Sequence, residues 1–412
     1  MKKILSLFTI WYLGLGLAML PTLFIYYDLF VVDKPPTRLF IISQYQIFAI
    51  LLFAMQGFRH SLTTAMRPIM WALIAILIGI AYFKIAFDIG HEKSNGNRSI
   101  MWLLHILFAI GAISTLRILS ARQILTFMLA AFGVSVMIYM TTVLAIEFRR
   151  NEVDVETCST ALPGFGNVRY TGYFAAFAYV FFLSSSAQIQ ISRSLRMLCF
   201  LSAVVSLFFI IYTGSRGAIA ASGIAILINA AMLGRQCGRL LIPAAITAII
   251  AALAISLISP HPCPAYNAFA RVAATPELTV EKISTGRTAV WLTSFELFKE
   301  RPFFGQGEIR LWKQSDLWVT QAHNSVLQSL MTWGIVGASC FWTLVFALAT
   351  KVYNRTKSAP LTHLPYTSAI LCMLAYSMID ATLYYSYPLL LTTFAIIAIF
   401  ASAKPATFGT NS

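Results

Sequence analysis

Three short polar motifs interrupt an otherwise apolar chain: Thr213-Gly214-Ser215-Arg216-Gly217-Ala218, Ser284-Thr285-Gly286-Arg287-Thr288-Ala289-Val290-Trp291, and Gln321-Ala322-His323-Asn324-Ser325-Val326-Leu327. In the first, the glycines permit a tight turn and close backbone approach, and the Arg216 guanidinium is a five-donor fork suited to phosphate oxygens. No Gly-Lys-Ser/Thr follows, so it is not a nucleotide-binding Walker loop. The competing reading is an arginine that snorkels to a membrane interface. In the second motif, Ser or Thr can cap a helix whose first turn holds Arg287, where the helix dipole already favours an anion. A cation there is locally unfavourable unless an anionic ligand arrives; pairing with Glu281 or with lipid phosphates is the blander alternative. In the third, a histidine at a helix start can accept a proton, although a lone interfacial histidine is often only structural. Two guanidinium forks suit phosphate oxygens, and one imidazole can accept a proton.

Other polar residues carry less. His105 lies early in an apolar run, and Lys84 and Asp88 are one helical turn apart and can pair. Asp380 sits with Tyr384, Tyr385 and Tyr387 at a late hairpin, where an aromatic belt explains the tyrosines. Asn324 can orient His323 or cap its helix. Arg271, Lys282, Arg310 and Lys313 give the longest polar stretch a cationic character that suits phosphates. The six cysteines form no CxxC pair, and no HExxH or DxD element occurs in the long loop, so no metal and no cofactor is expected.

What must position these residues is a membrane bundle. Of 412 residues, 58% are hydrophobic and 11% charged, less than half the roughly 25% charge of a soluble domain. A membrane span needs roughly 20 apolar residues. Such runs fall near 4–27, 39–58, 68–88, 100–118, 123–146, 170–190, 196–214, 217–233, 240–259, 324–350, 364–382 and 385–402. The first follows Lys2 and Lys3 but is too long for a signal-peptide core, and reads as a retained helix. The expectation is an all-α polytopic membrane protein of about twelve transmembrane helices with both termini cytoplasmic. Residues 1–259 would hold spans one to nine. Residues 260–322 would form a periplasmic loop with amphipathic helices, and 323–412 the last three spans and a cytoplasmic tail.

Sidedness follows from charge. With the amino terminus inside, the cytoplasmic connections contain Lys2, Lys3, Arg59, Arg67, Arg117, Arg122, Arg193, Arg196, Arg235, Arg239, Lys351, Arg355, Lys357 and Lys404, and no acid. Every acid, from Asp28 to Asp380, then falls on the other side or at its boundary. The net charge of +15 therefore belongs to membrane topology and not to nucleic acid. The other outer segment of any size is 147–169. Cys158 and Cys263 are the outer-loop cysteines; a disulfide and two separate thiols fit equally. Within the long loop, Val290, Trp291, Ser294, Phe295 and Phe298 recur at helical spacing, with Thr293, Glu296 and Lys299 facing elsewhere. That predicts a helix lying on the outer face, broken by Arg301-Pro302 and the Gly305-Gln306-Gly307 turn. In Trp333-Gly334-Ile335-Val336-Gly337, the glycines are expected to permit close helix packing. No internal repeat is evident and the connection near 191–194 is very short, which counts against a two-halved transporter.

The order of motifs, GSRG after a span, GRxxxW opening an outer-face helix, RPFFGQG, and HN leading into a span that continues WGxxG, resembles the O-antigen ligase and polymerase superfamily over about residues 200–345. The resemblance implies a glycosyltransferase of the Gram-negative inner membrane, acting on the periplasmic side without a metal. Its donor would be an undecaprenyl diphosphate-linked glycan and, in the ligase branch, its acceptor the lipid A core. The family's functional arginines correspond to Arg216 and Arg287, and its histidine to His323. Substrate contacts are expected from Arg216, Arg287, Asn324, Arg271, Lys282 and Arg310. The expected activity is O-antigen ligase, an inverting transfer. The alternatives are a polymerase joining lipid-linked repeats, a protein-glycosylating transferase, and a transporter or flippase, which would place charged or broken helices at mid-membrane.

Overall fold

The computed structural model describes residues 2–30, 38–56, 74–75, 77–79, 94–149, 168–188, 191–232, 235–258, 287–307 and 321–402, and among them there is no strand. The helices are α1 (Lys2–Phe30), α2 (Arg38–Met55), α3 (Ser94–Leu116), α4 (Ala121–Arg149), α5 (Val168–Ser186), α6 (Arg193–Tyr212), α7 (Arg216–Met232), α8 (Arg235–Ile258), α9 (Arg287–Glu300), α10 (Ser325–Ser358), α11 (Pro360–Asp380) and α12 (Ser386–Ser402), with a 3-10 turn at Thr382–Tyr384. Five are long and apolar enough to cross a membrane, over Ile4–Tyr26, Arg38–Met55, Ala121–Val143, Arg193–Tyr212 and Ser325–Ser358, and Ile100–Leu116, Arg216–Met232, Leu241–Ser256 and Ser386–Ser402 form shorter apolar helices. Exposed Trp11, Leu227 and Phe346 lie on the outside of the bundle, as helices that meet lipid require. The chain is a multi-pass membrane protein. Each expected apolar run coincides with a helix except 68–88, of which only 74–75 and 77–79 are described.

Two helices form the centre. In α5, every residue from Thr171 to Ser185 is buried, and a helix apolar on all sides is one enclosed by others. It packs chiefly against α6 and α11, and α11 also packs on α7, α10 and α12. Polar residues tie these elements where lipid offers no hydrogen bonds. Ser184 Oγ donates to Ser368 Oγ at 2.6 Å, Asn229 Nδ2 donates to the same oxygen at 2.8 Å, and the hydroxyls of Tyr139 and Thr171 are 2.8 Å apart.

The continuous tenth span expected from sequence is broken. Gly334 has φ 64 and ψ −173 inside α10, in the left-handed half of the map that favours glycine. The segment after α9 lies against the break and replaces two helical hydrogen bonds. In an unbroken helix, the amides of Ile335 and Val336 would donate to the carbonyls of Met331 and Thr332. Instead Ile335 N donates to Pro302 O at 2.8 Å and Val336 N to Phe303 O at 3.2 Å. The two freed carbonyls accept from Gln306 N at 2.7 Å and Gly307 N at 3.1 Å. Every opened group is satisfied, as a low-dielectric site demands. A Cβ on Gly334 would lie 2.3 Å from the Phe303 carbonyl, and one on Gly305 (φ 71) would lie 2.5 Å from Gly334 N. Gly334 thus serves a crossing of two backbones, where helix-on-helix packing was expected.

Helix α9 buries part of its expected apolar face against the bundle. Its buried residues are Val290, Ser294 and Leu297, and Val290 and Leu297 cluster with Met331 of α10. Phe295 and Leu292 are exposed. In water the aromatic residues would turn inward, but beside lipid both faces of such a helix meet apolar surroundings, so aromatic spacing does not identify the docking face. The helix ends at Arg301-Pro302 as expected, and Gln306 Nε2 donates to the Leu297 carbonyl at 3.1 Å and to Glu300 at 2.8 Å.

Candidate functional site

The three motifs are gathered around the last turn of α11. Asp380 ends that helix and is fully buried. A carboxylate at a helix C-terminus meets the negative end of the dipole, and leaving it buried and unpaired costs several kcal/mol. Two motif residues supply the pairing. His323 Nδ1 lies 2.6 Å from Asp380 Oδ1, and Arg287 lies 3.5 Å from Oδ2. With Nδ1–H donated to Asp380, the ring carries its lone pair on Nε2. Asp380 was set aside in the sequence as a hairpin marker, and no local pattern signals it, because its partners are far away in the chain.

The backbone around His323 is held in an uncommon state. Its φ is 49, a left-handed conformation that histidine tolerates better than most residues but at a cost of order 1–3 kcal/mol. Asn324 follows as the N-cap of α10, accepting from Val326 N at 2.9 Å and Leu327 N at 3.0 Å, while its Nδ2 donates to Met378 O of α11 at 2.9 Å. The cap therefore pins the start of α10 to the last turn of α11 and sets His323 against Asp380. Gln328 Oε1 accepts from Ala322 N at 2.8 Å and closes the preceding turn.

Arg287 opens α9, so its guanidinium and the free amides of the first turn share one end of the helix. Its Nε is buried and finds no acceptor among the described residues, and the same holds for Trp291 Nε1 one turn on. Buried donors of this kind call for a partner, and an anion supplies one. Arg216 opens α7 after Gly214, whose φ is 61. The neighbouring Ser215 Oγ is 2.6 Å from the Tyr376 hydroxyl of α11, one turn before Asp380. Gly217 lets α7 approach closely, since a Cβ there would lie 2.8 Å from the Tyr376 ring. Arg216 itself is exposed.

The N-terminal ends of α9 and α10 thus meet one buried carboxylate, and that of α7 is tied to Tyr376 one turn before it. Arg216 and Arg287 outnumber Asp380, and the helix ends add positive potential, so the site is built for an anion. The tyrosines beside it are not an aromatic belt. Tyr384 and Tyr387 are buried, and Tyr170, Tyr173, Tyr376 and Tyr385 pack edge to face or tilted, with ring centroids 4.7 Å apart for Tyr170 and Tyr385 and 4.8 Å for Tyr173 and Tyr376. They wall the polar cluster from the core. Arg271, Lys282 and Arg310, expected to contact substrate, lie outside the described residues, as do Cys158 and Cys263. Cys199, Cys340 and Cys372 are buried free thiols. Among the described residues no group of three or more His, Cys, Asp or Glu side chains could hold a metal.

No curated protein matches the chain. A family model described as O-antigen ligase matches residues 201–342, a stretch that contains Arg216, Arg287, His323, Asn324 and the broken start of α10 but stops before Asp380. Over this stretch, which is less than half of the chain, the sequence is similar to the O-antigen ligase family.

Proposed function

We propose that the protein is an O-antigen ligase, which transfers a glycan from undecaprenyl diphosphate to the lipid A core on the periplasmic face of the inner membrane. The observation that carries this reading is the buried Asp380 carboxylate, which holds a base, His323, and a guanidinium, Arg287, together at the starts of α10 and α9. A sugar on a diphosphate already has a good leaving group, so the second carboxyl group with which a glycosidase protonates its leaving oxygen is unnecessary. Arg287 and Arg216 bind the diphosphate oxygens and stabilise the charge that grows as the glycosidic C–O bond breaks. An acceptor hydroxyl attacks the anomeric carbon from the opposite face and gives its proton to His323 Nε2. Asp380 holds the imidazole in the required tautomer and stabilises it once it is protonated. The displacement is single, inverts the anomeric centre and needs no metal.

The test is the lipopolysaccharide profile of a strain deleted for the gene and complemented with wild type or His323→Ala. Retained lipid-linked polymer without long chains on lipid A, rescued only by wild type, is expected. Core bearing a single repeat would assign the polymerase branch instead, and an unchanged profile would remove the ligase reading.

A further inference from the structure

The turn between α6 and α7 carries more than Arg216. Gly214 N donates to Ile211 O at 3.0 Å and Ser215 N to Ile210 O at 3.2 Å, the pair of bonds with which a left-handed glycine ends a helix. The Ser215 carbonyl in turn accepts from Ala218 N at 3.0 Å and Ile219 N at 3.2 Å, so the same residue starts α7. A serine at a helix start ordinarily turns its hydroxyl onto the amides of the first turn. Ser215 instead sends it across to α11, where it meets the Tyr376 hydroxyl at 2.6 Å. Two glycines make the room: a Cβ on Gly172 of α5 would lie 2.5 Å from Ser215 Oγ and 3.3 Å from the Tyr376 hydroxyl, and one on Gly217 would lie 2.8 Å from the Tyr376 ring. Tyr376 is 2% exposed and lies near enough to Asp380 and Arg287 for their charges to act on it. Docking of α7 on α11 does not depend on this bond. Further along the same two helices, Asn229 Nδ2 donates to Ser368 Oγ at 2.8 Å, and Ser222 Oγ lies 3.7 Å from Cys372 Sγ. A hydroxyl diverted from its usual backbone partners thus joins the residue beside Arg216 to the residue one turn before the carboxylate that holds Arg287.

We propose that Tyr376 is a positioning residue: through Ser215 it fixes Arg216 relative to the Arg287–Asp380 pair, so that the two guanidiniums are spaced for the two phosphate groups of a diphosphate and not for one. The inference rests on the donor reading given above and adds what makes the site select a diphosphate. Arg287 is anchored by its carboxylate. Arg216 is exposed, so where its guanidinium can reach is decided chiefly by the backbone from which it hangs. A guanidinium fork bonds phosphate oxygens only within narrow limits of distance and angle. Releasing Ser215 from Tyr376 would let the turn drift and take Arg216 out of those limits, while Arg287 kept its own phosphate.

The experiment uses the full chain in neutral detergent, with undecaprenyl diphosphate and undecaprenyl monophosphate as probes, and reads both affinities and the melting temperature. Wild type should prefer the diphosphate by about tenfold or more, the scale of one charge-assisted hydrogen bond. Tyr376→Phe and Ser215→Ala should each weaken diphosphate binding by about that factor and leave the monophosphate and the melting temperature almost unchanged. Adding Tyr376→Phe to Ser215→Ala or to Arg216→Ala should cost nothing further, because all three act through one contact. Asn229→Ala, which cuts a tie between the same helices away from the site, should lower the melting temperature and keep the preference. Binding of neither lipid by the wild type would remove the donor reading and this inference together. Equal binding of the two lipids by the wild type, or a Tyr376→Phe variant that keeps the wild-type preference, would overturn this inference alone. So would an equal loss on both lipids in Tyr376→Phe, an additive loss in the Arg216→Ala background, or the same loss of preference in Asn229→Ala, each of which would make the bond structural only.

Discussion

Replacing Asp380 by Asn separates the base from the clamp. Two unit charges about 4 Å apart attract by roughly 4 kcal/mol at an effective dielectric of about 20. The imidazolium and carboxylate, with a 2.6 Å contact and side chains 10% and 1% exposed, belong to that regime. An amide oxygen can still accept from Nδ1, returning about 1 kcal/mol. About 3 kcal/mol is therefore lost from the state in which His323 holds the acceptor proton, or roughly a hundredfold in turnover. If Asn presents its NH₂ and reverses the tautomer, the loss approaches the ten-thousandfold seen when a serine-protease triad loses its carboxylate. Donor binding should behave oppositely, since Arg287 is freed from its only carboxylate among the described residues and the site becomes more positive. The assay is transfer from purified lipid-linked glycan to rough lipopolysaccharide in detergent, with kcat and donor KM measured separately. A fall in kcat of at least a hundredfold with donor KM unchanged or lower is expected. Turnover within tenfold of wild type, or a KM that rises as kcat falls, would refute the assignment of Asp380 to the histidine.

Arg287→Ala should lower turnover by about a hundredfold to a thousandfold even under saturating donor; full turnover there would remove the arginine from the clamp. Gly334→Ala should destabilise the protein by about 2–4 kcal/mol through backbone strain and lost crossing hydrogen bonds, whereas Gly223→Ala, with nothing within 4 Å of its new Cβ, should be neutral or gain about 0.5–1 kcal/mol; thermal melts in detergent compare them. Asn324→Ala removes a cap with two amide partners and the tie to Met378, and should cost about 1–2 kcal/mol together with most of the activity.

The helices were legible because each is written locally: an apolar run of sufficient length, bounded by charge, is helical whatever it packs against. The three motifs were legible for the same reason, since each combines a helix start with a side chain whose chemistry suits an anion or a proton. What escaped the sequence was nonlocal. Asp380 owes its place to residues on two other elements, and on its own helix it looks like one more boundary acid. The break in α10 depends on four hydrogen bonds from the segment after α9, so Gly334 reads as a packing glycine until Pro302–Gly307 is laid beside it. The contact by which α9 docks, Val290 and Leu297 against Met331 of α10, also escaped, because hydrophobic periodicity assumes one apolar side, and lipid supplies a second.

Reconstitution tests the central claim most directly. Purified full-length wild type and His323→Ala are incubated with undecaprenyl diphosphate-linked O-antigen and rough lipopolysaccharide, with a chelator present, and the products are resolved on a gel. Wild type should move glycan onto the lipid A core, with no transfer by His323→Ala although it still binds the donor. Transfer by His323→Ala at wild-type rates, or products that are only longer lipid-linked glycans, would contradict the account.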